Sequence, residues 1–148
     1  MRTFAIITLL FLSIPALSQD HVNLKSGYAA QGYDVVSYFQ HKPVKGDKKF
    51  TTTHEGVKYK FQNEANLKTF MASPDRYLPE YGGFCAYAIA KDGKKVSVNP
   101  KTFTITDGKL YLFYNSWGVN TLEKWQEEGA EDLTQKADTQ WKVIVNSQ

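Results

Sequence analysis

An α+β fold is what this 148-residue sequence predicts, and three observations predict it. Two stretches alternate apolar and polar residues on either side of a short glycine-bearing turn, the signature of a β-hairpin. Other stretches repeat apolar residues at three- and four-residue spacing, the signature of a helix. Strands and helices do not alternate regularly. That argues against a parallel sheet and for two antiparallel hairpins with helices packed on one face, closed by a C-terminal helical pair. No repeat, low-complexity stretch or linker divides the chain, so residues 19–148 read as one domain.

Residues 1–18 read as a signal peptide. Arg2 supplies a positive start, residues 4–12 are apolar, Pro15 breaks the run, and Ala16-Leu17-Ser18 offers small residues for cleavage. The apolar run is far short of the roughly 20 residues that span a bilayer. Cleavage after Ser18 would start the mature chain at Gln19, in the periplasm or outside the cell. No other run approaches spanning length, so no membrane span is expected.

Residues 19–33 are a polar lead-in. "DVVSYF" (34–39) is rich in β-formers and reads as a strand or a turn of strand, and 41–49 as a loop. The first hairpin joins 50–53 to 57–61 through His54-Glu55-Gly56, read as a three-residue loop with glycine left-handed. Val57, Tyr59 and Phe61 then share the buried face, with Lys58 and Lys60 opposite. Asn63 is placed to cap a helix carrying Leu67, Phe70 and Met71. Ser73-Pro74 starts a further helical turn, and Tyr81-Gly82-Gly83 makes a tight turn. The alanines of 84–90 favour a short helix there. Asp107-Gly108 is the strongest hairpin signal in the chain. Its two-residue loop pairs Ile105 with Leu110 and Phe103 with Leu112, on one face over the core. Residues 117–128 and 132–141 read as helices, the second through Leu133, Ala137 and Trp141.

Charge excludes little but not nothing. Losing Arg2 with the signal peptide lowers the net charge from +3 to +2. The lysines are scattered along the chain, not gathered in a run, so nucleic acid is not expected as a partner. There is no phosphate loop, no serine elbow, no HExxH and no CxxC. His21, His41 and His54 stand alone and read as loop residues.

That leaves Cys85, the only cysteine, in "YGGFCAYA" (81–88). A lone thiol forms no internal disulfide. It is either a soft-metal ligand, a reactive thiol, or a small buried hydrophobe. Gly82-Gly83 before it would let backbone approach a ligand or another segment closely.

"GYDVVSYF" (32–39), the 59–88 stretch "YKFQNEANLKTFMASPDRYLPEYGGFCAYA" and "DGKLYLFYN" (107–115) resemble the YHS-domain family, in its small exported branch. The resemblance implies a transition-metal partner, copper first. Compact members of that family carry cysteines in two blocks, D-P-V-C-G-M and F-C-S-x-x-C. This chain departs from both: Ser37, Gln62 and Asn66 stand in the cysteine places, and amides and hydroxyls are poor soft-metal ligands. The family's usual metal site is therefore not expected.

Three functions remain open from the sequence. The first is an exported protein binding copper, another transition metal or a small ligand. Cys85 and His54 would be the metal ligands, with Asp34, Tyr38, Tyr81 and Tyr87 around them. The second is a structural or interaction module with an inert Cys85. The third is a thiol-dependent enzyme, for which the sequence shows neither base nor cleft.

Overall fold

The computed structural model describes residues 19–147, so the expected signal peptide lies outside the described residues. The described chain is α+β, as the sequence predicts. Strands β1 (Leu24–Lys25) and β2 (Tyr28–Ala29) form a short hairpin. Helix α1 covers Val35–Phe39. The first long hairpin is β3 (Asp47–His54) and β4 (Val57–Phe61), and these two pairs merge into one mixed sheet, ordered β1-β2-β4-β3. Within it β2 runs parallel to β4.

Residues 35–39 are a helix capped by Asp34, and not the expected strand or turn of strand. The Asp34 carboxylate accepts hydrogen bonds from the Val36 and Ser37 backbone N–H groups at 2.9 and 3.2 Å. That cap satisfies donors a helix start leaves open, and it outweighs the β preference of two valines. The first long hairpin also turns more tightly than expected. His54 pairs directly with Val57, leaving Glu55 and Gly56 as the loop, with φ of 49° and 78°. Two left-handed residues in succession match the twist of the paired strands.

Helix α2 (Glu64–Ala72) follows, capped by the Asn63 side chain as expected. Phe70 is buried against Tyr59 and Phe61, whereas Met71 is exposed, because the face of this helix turned to the sheet is narrow. Short helical turns at Pro74–Arg76 and Glu80–Gly83 lead into α3 (Ala86–Asp92).

Strands β5 (Asn99–Thr106) and β6 (Lys109–Phe113) form the second long hairpin. Its register is the expected one, Ile105 opposite Leu110 and Phe103 opposite Leu112. Because side chains alternate across a strand, β6 serves two cores. Leu110 and Leu112 join Tyr38, Cys85 and Val98 on one side. Tyr111 and Phe113 join Tyr81, Ile89, Trp125 and Leu133 on the other, so β6 is covered on both faces while β5 stays partly exposed.

A two-residue pair, β7 (Asn115–Ser116) with β8 (Val119–Asn120), turns through Trp117 and Gly118, both left-handed. The helix expected from residue 117 therefore begins only at α4 (Thr121–Glu127), where the Asn120 side chain caps it. The last helix, α5 (Ala130–Asn146), buries Leu133 and Ala137 and lays Trp141 and Ile144 along the same core. No helix among the described residues is long and apolar enough to cross a membrane.

Candidate functional site

Cys85 sits at the start of α3 and is buried. Its backbone N–H donates to the Val96 carbonyl at 2.8 Å. Its sulfur accepts from the Tyr114 N–H at 3.3 Å and lies 3.3 Å from the Thr121 hydroxyl, which itself donates to the Tyr114 carbonyl. The remaining surroundings are Tyr33, Tyr38, Ala88, Val98, Leu110 and Leu112. The sulfur thus pins the end of β6 to the starts of α3 and α4. Among the described residues, no group of three or more His, Cys, Asp or Glu is placed to hold a metal ion.

Of the polar set expected around Cys85, the fold brings Tyr38 into the same core and packs the partly buried Tyr87 ring against it. The Tyr38 hydroxyl donates to the Pro100 carbonyl at 2.5 Å, and burial holds the phenol well above its usual range, with Tyr33 adding to the shift. The other three side chains take their hydrogen bonds elsewhere. Tyr81 donates to Asp138 on α5 at 2.8 Å, and burial first, then that bond, raises its phenol strongly. Tyr87 donates to Glu128 at 2.6 Å, a contact that raises the phenol; the Lys91 ammonium first, then this bond, lowers the Glu128 carboxyl.

Asp34 is a buried hub. Besides capping α1, its carboxylate accepts from the Gln62 N–H at 3.0 Å and from the Asn66 side-chain amide at 2.7 Å. Ser37 donates to the Asp34 carbonyl at 2.6 Å and accepts from the Val44 N–H. Ser37, Gln62 and Asn66, the positions where the resemblance would put thiols, therefore converge here as hydrogen-bond partners of one carboxylate and its backbone. A buried carboxylate is tolerable only when paired in this way. The arrangement ties α1 to β4 and α2, and its donors are already committed.

The glycine pair ahead of Cys85 serves a different neighbour. Gly82 has a φ of 61°, and a Cβ there would lie 1.8 Å from the His21 carbonyl oxygen. The Asn23 N–H donates to the Gly82 carbonyl at 2.8 Å and the Asn23 side chain to the Gly83 carbonyl at 3.1 Å. The turn thus receives the N-terminal segment, and that contact carries His21 into a pocket.

The pocket has a volume of about 210 Å³ and lies between the β3–β4 turn and α5. Its wall includes His21, His54, Tyr59, Leu78, Pro79 and Trp141. Both imidazoles are held edge-on against an aromatic ring, His21 against Trp141 and His54 against Phe70, each at 5.9 Å between centroids. His21 Nδ1 and His54 Nε2 are shielded from solvent and have no hydrogen-bond partner among the described residues. His54 Nε2 is 3.4 Å from an Asp75 carboxylate oxygen, near enough for an ion pair if the ring is protonated but without hydrogen-bond geometry. His54 was expected as a metal ligand with Cys85; the fold places it in this pocket instead, beside His21, which read as a loop residue, and Cys85 is not in the lining. The signal that could have found His21 is the glycine pair, which demands that some backbone pass close by. Comparison of the chain with models of protein families, with curated proteins and with solved structures found no match.

Proposed function

We propose that this chain is a small-ligand-binding domain, that its site is the pocket between His21 and His54, and that Cys85 is a structural core residue. The carrying observation is that His21 and His54, each with a shielded ring nitrogen lacking a hydrogen bond among the described residues, line one pocket whose wall is mostly apolar apart from Glu55. Each unpaired buried polar atom costs on the order of 1–3 kcal/mol, and a ligand that supplies the missing partner recovers it. The pocket is below the roughly 300–1,000 Å³ usual for drug-sized ligands, so the ligand is small. Val22, Val57, Leu78 and Trp141 favour an apolar body; the two nitrogens call for a hydrogen-bonding head, such as a hydroxyl or carboxylate. The contacts of Cys85, a backbone donor and a hydroxyl inside an apolar cluster, favour the inert core cysteine over the copper ligand that the resemblance implies.

Calorimetric titration tests this with benzoate and phenol as probes and Cu(I) as a separate arm. At least one organic probe should bind saturably. His54→Ala should weaken it at least tenfold, about 1.4 kcal/mol, and Cys85→Ser should leave it unchanged. Binding that ignores His54→Ala, or no saturable heat from either probe, overturns the reading. Tight Cu(I) binding abolished by Cys85→Ser would return the site to the sulfur.

A further inference from the structure

The fold assembles a basic groove from lysines that are far apart in sequence. One concavity of about 510 Å³ is lined by Lys25, Lys45, Lys60 and Lys101. A second, of about 650 Å³, is lined by Lys48, Lys58 and Lys60. Lys60 and Ser26 line both, so the two concavities adjoin at these residues. Three pairings bring the lysines together: β2 alongside β4, Tyr33 bridged to Lys45, and β3 against β4. No aspartate or glutamate among the described residues lines either concavity, and none of the six lysines makes an ion pair with another described residue. Like charges gathered without a counter-charge repel one another, and clefts of one sign concentrate oppositely charged ligands.

We propose that this groove docks an acidic polysaccharide. Two adjoining concavities that share Lys60 suit a linear chain bearing repeated carboxylates or sulfates, and Ser26 stands in both linings to meet sugar hydroxyls. A single-stranded nucleic acid would need open aromatic faces for its bases. Here the Tyr28 ring is covered by the Lys60 ammonium at 4.6 Å, and Tyr33 is buried. A membrane surface would favour apolar side chains beside the cations. The exposed large hydrophobics Met71, Trp117, Val119, Val143 and Val145 all lie outside the groove lining. The observation is independent of the His21–His54 pocket.

Binding to a heparin oligosaccharide, measured at about 50 and 200 mM NaCl, tests the proposal, because contacts to a polyanion weaken steeply with salt over that range. Two variants of equal charge loss separate groove from net charge: K45Q/K58Q/K101Q in the groove and K124Q/K136Q/K142Q on α4 and α5. The first should bind at least about tenfold more weakly, the second within about twofold of the parent, with both melting like the parent. Equal losses in the two variants would reduce the effect to net charge and overturn the groove. So would no binding at the lower salt, or tighter binding to a single-stranded oligonucleotide or to phosphatidylglycerol vesicles.

Discussion

Cys85 holds three chain segments together through one small side chain. The Tyr114 N–H needs an acceptor at the end of β6, and the sulfur provides a weak one without bringing a full polar group into the Leu110–Leu112 core. Serine is nearly the same size but brings a hydroxyl, and burying it incompletely bonded costs on the order of 1–3 kcal/mol. Cys85→Ser should therefore lower stability to denaturant by roughly 1–2 kcal/mol while Cu(I) affinity stays unchanged. Unchanged stability with Cu(I) affinity down at least tenfold, about 1.4 kcal/mol, would make the sulfur a ligand and this reading wrong.

Among the elements, the Glu80–Gly83 turn does most to position the candidate site, because it receives the N-terminal segment that carries His21. Gly82→Ala meets both a left-handed φ and a Cβ within 1.8 Å of a carbonyl oxygen. The backbone must shift, so a loss of about 2 kcal/mol or more is expected from strain together with broken turn bonds. Amide exchange should quicken at Asn23, whose N–H bonds to the turn; exchange as slow as in the parent would mean the turn does not hold that segment. The elements themselves were largely legible. Asp107-Gly108 set the register of β5 on β6, and Asn63 marked the start of α2, because both signals are local. The Asp34 helix was not legible, since its cap competes with a β-rich composition and is secured by Gln62 and Asn66 from elsewhere in the chain. The His21–His54 pocket was not legible either, for a related reason. Its histidines lie on different elements, and Trp141 meets them only once α5 has packed. The lysine groove is likewise a product of strand pairing that no stretch of sequence displays.

At the scale of the whole molecule, two properties follow from how the aromatics are buried. Burial first, with Glu55 adding to it, pushes the Tyr59 phenol from 10.0 up to about 12; burial, with Glu80 next, does the same for Tyr111. Tyr38 and Tyr81 are raised further. Above pH 10 the unfolded chain loses these protons while the folded chain keeps them, so the folded state binds more protons and stability falls as pH rises. Their contribution is intact below pH 10 and declines through the window up to about 12. Denaturation midpoints should drop across that window and drop less in Tyr59→Phe, whereas flat midpoints would show that these phenols ionise freely in the fold. The second property is the separation of a core centred on Cys85 from the proposed ligand pocket between the first hairpin and the last helix. Nitrogen NMR of the histidine side chains, recorded while benzoate or phenol is added, tests that separation most directly. The account predicts that His21 Nδ1 and His54 Nε2 shift together and saturably while the Cys85 Cβ resonance stays in place. Movement of the Cys85 Cβ resonance with both imidazoles unmoved would contradict it.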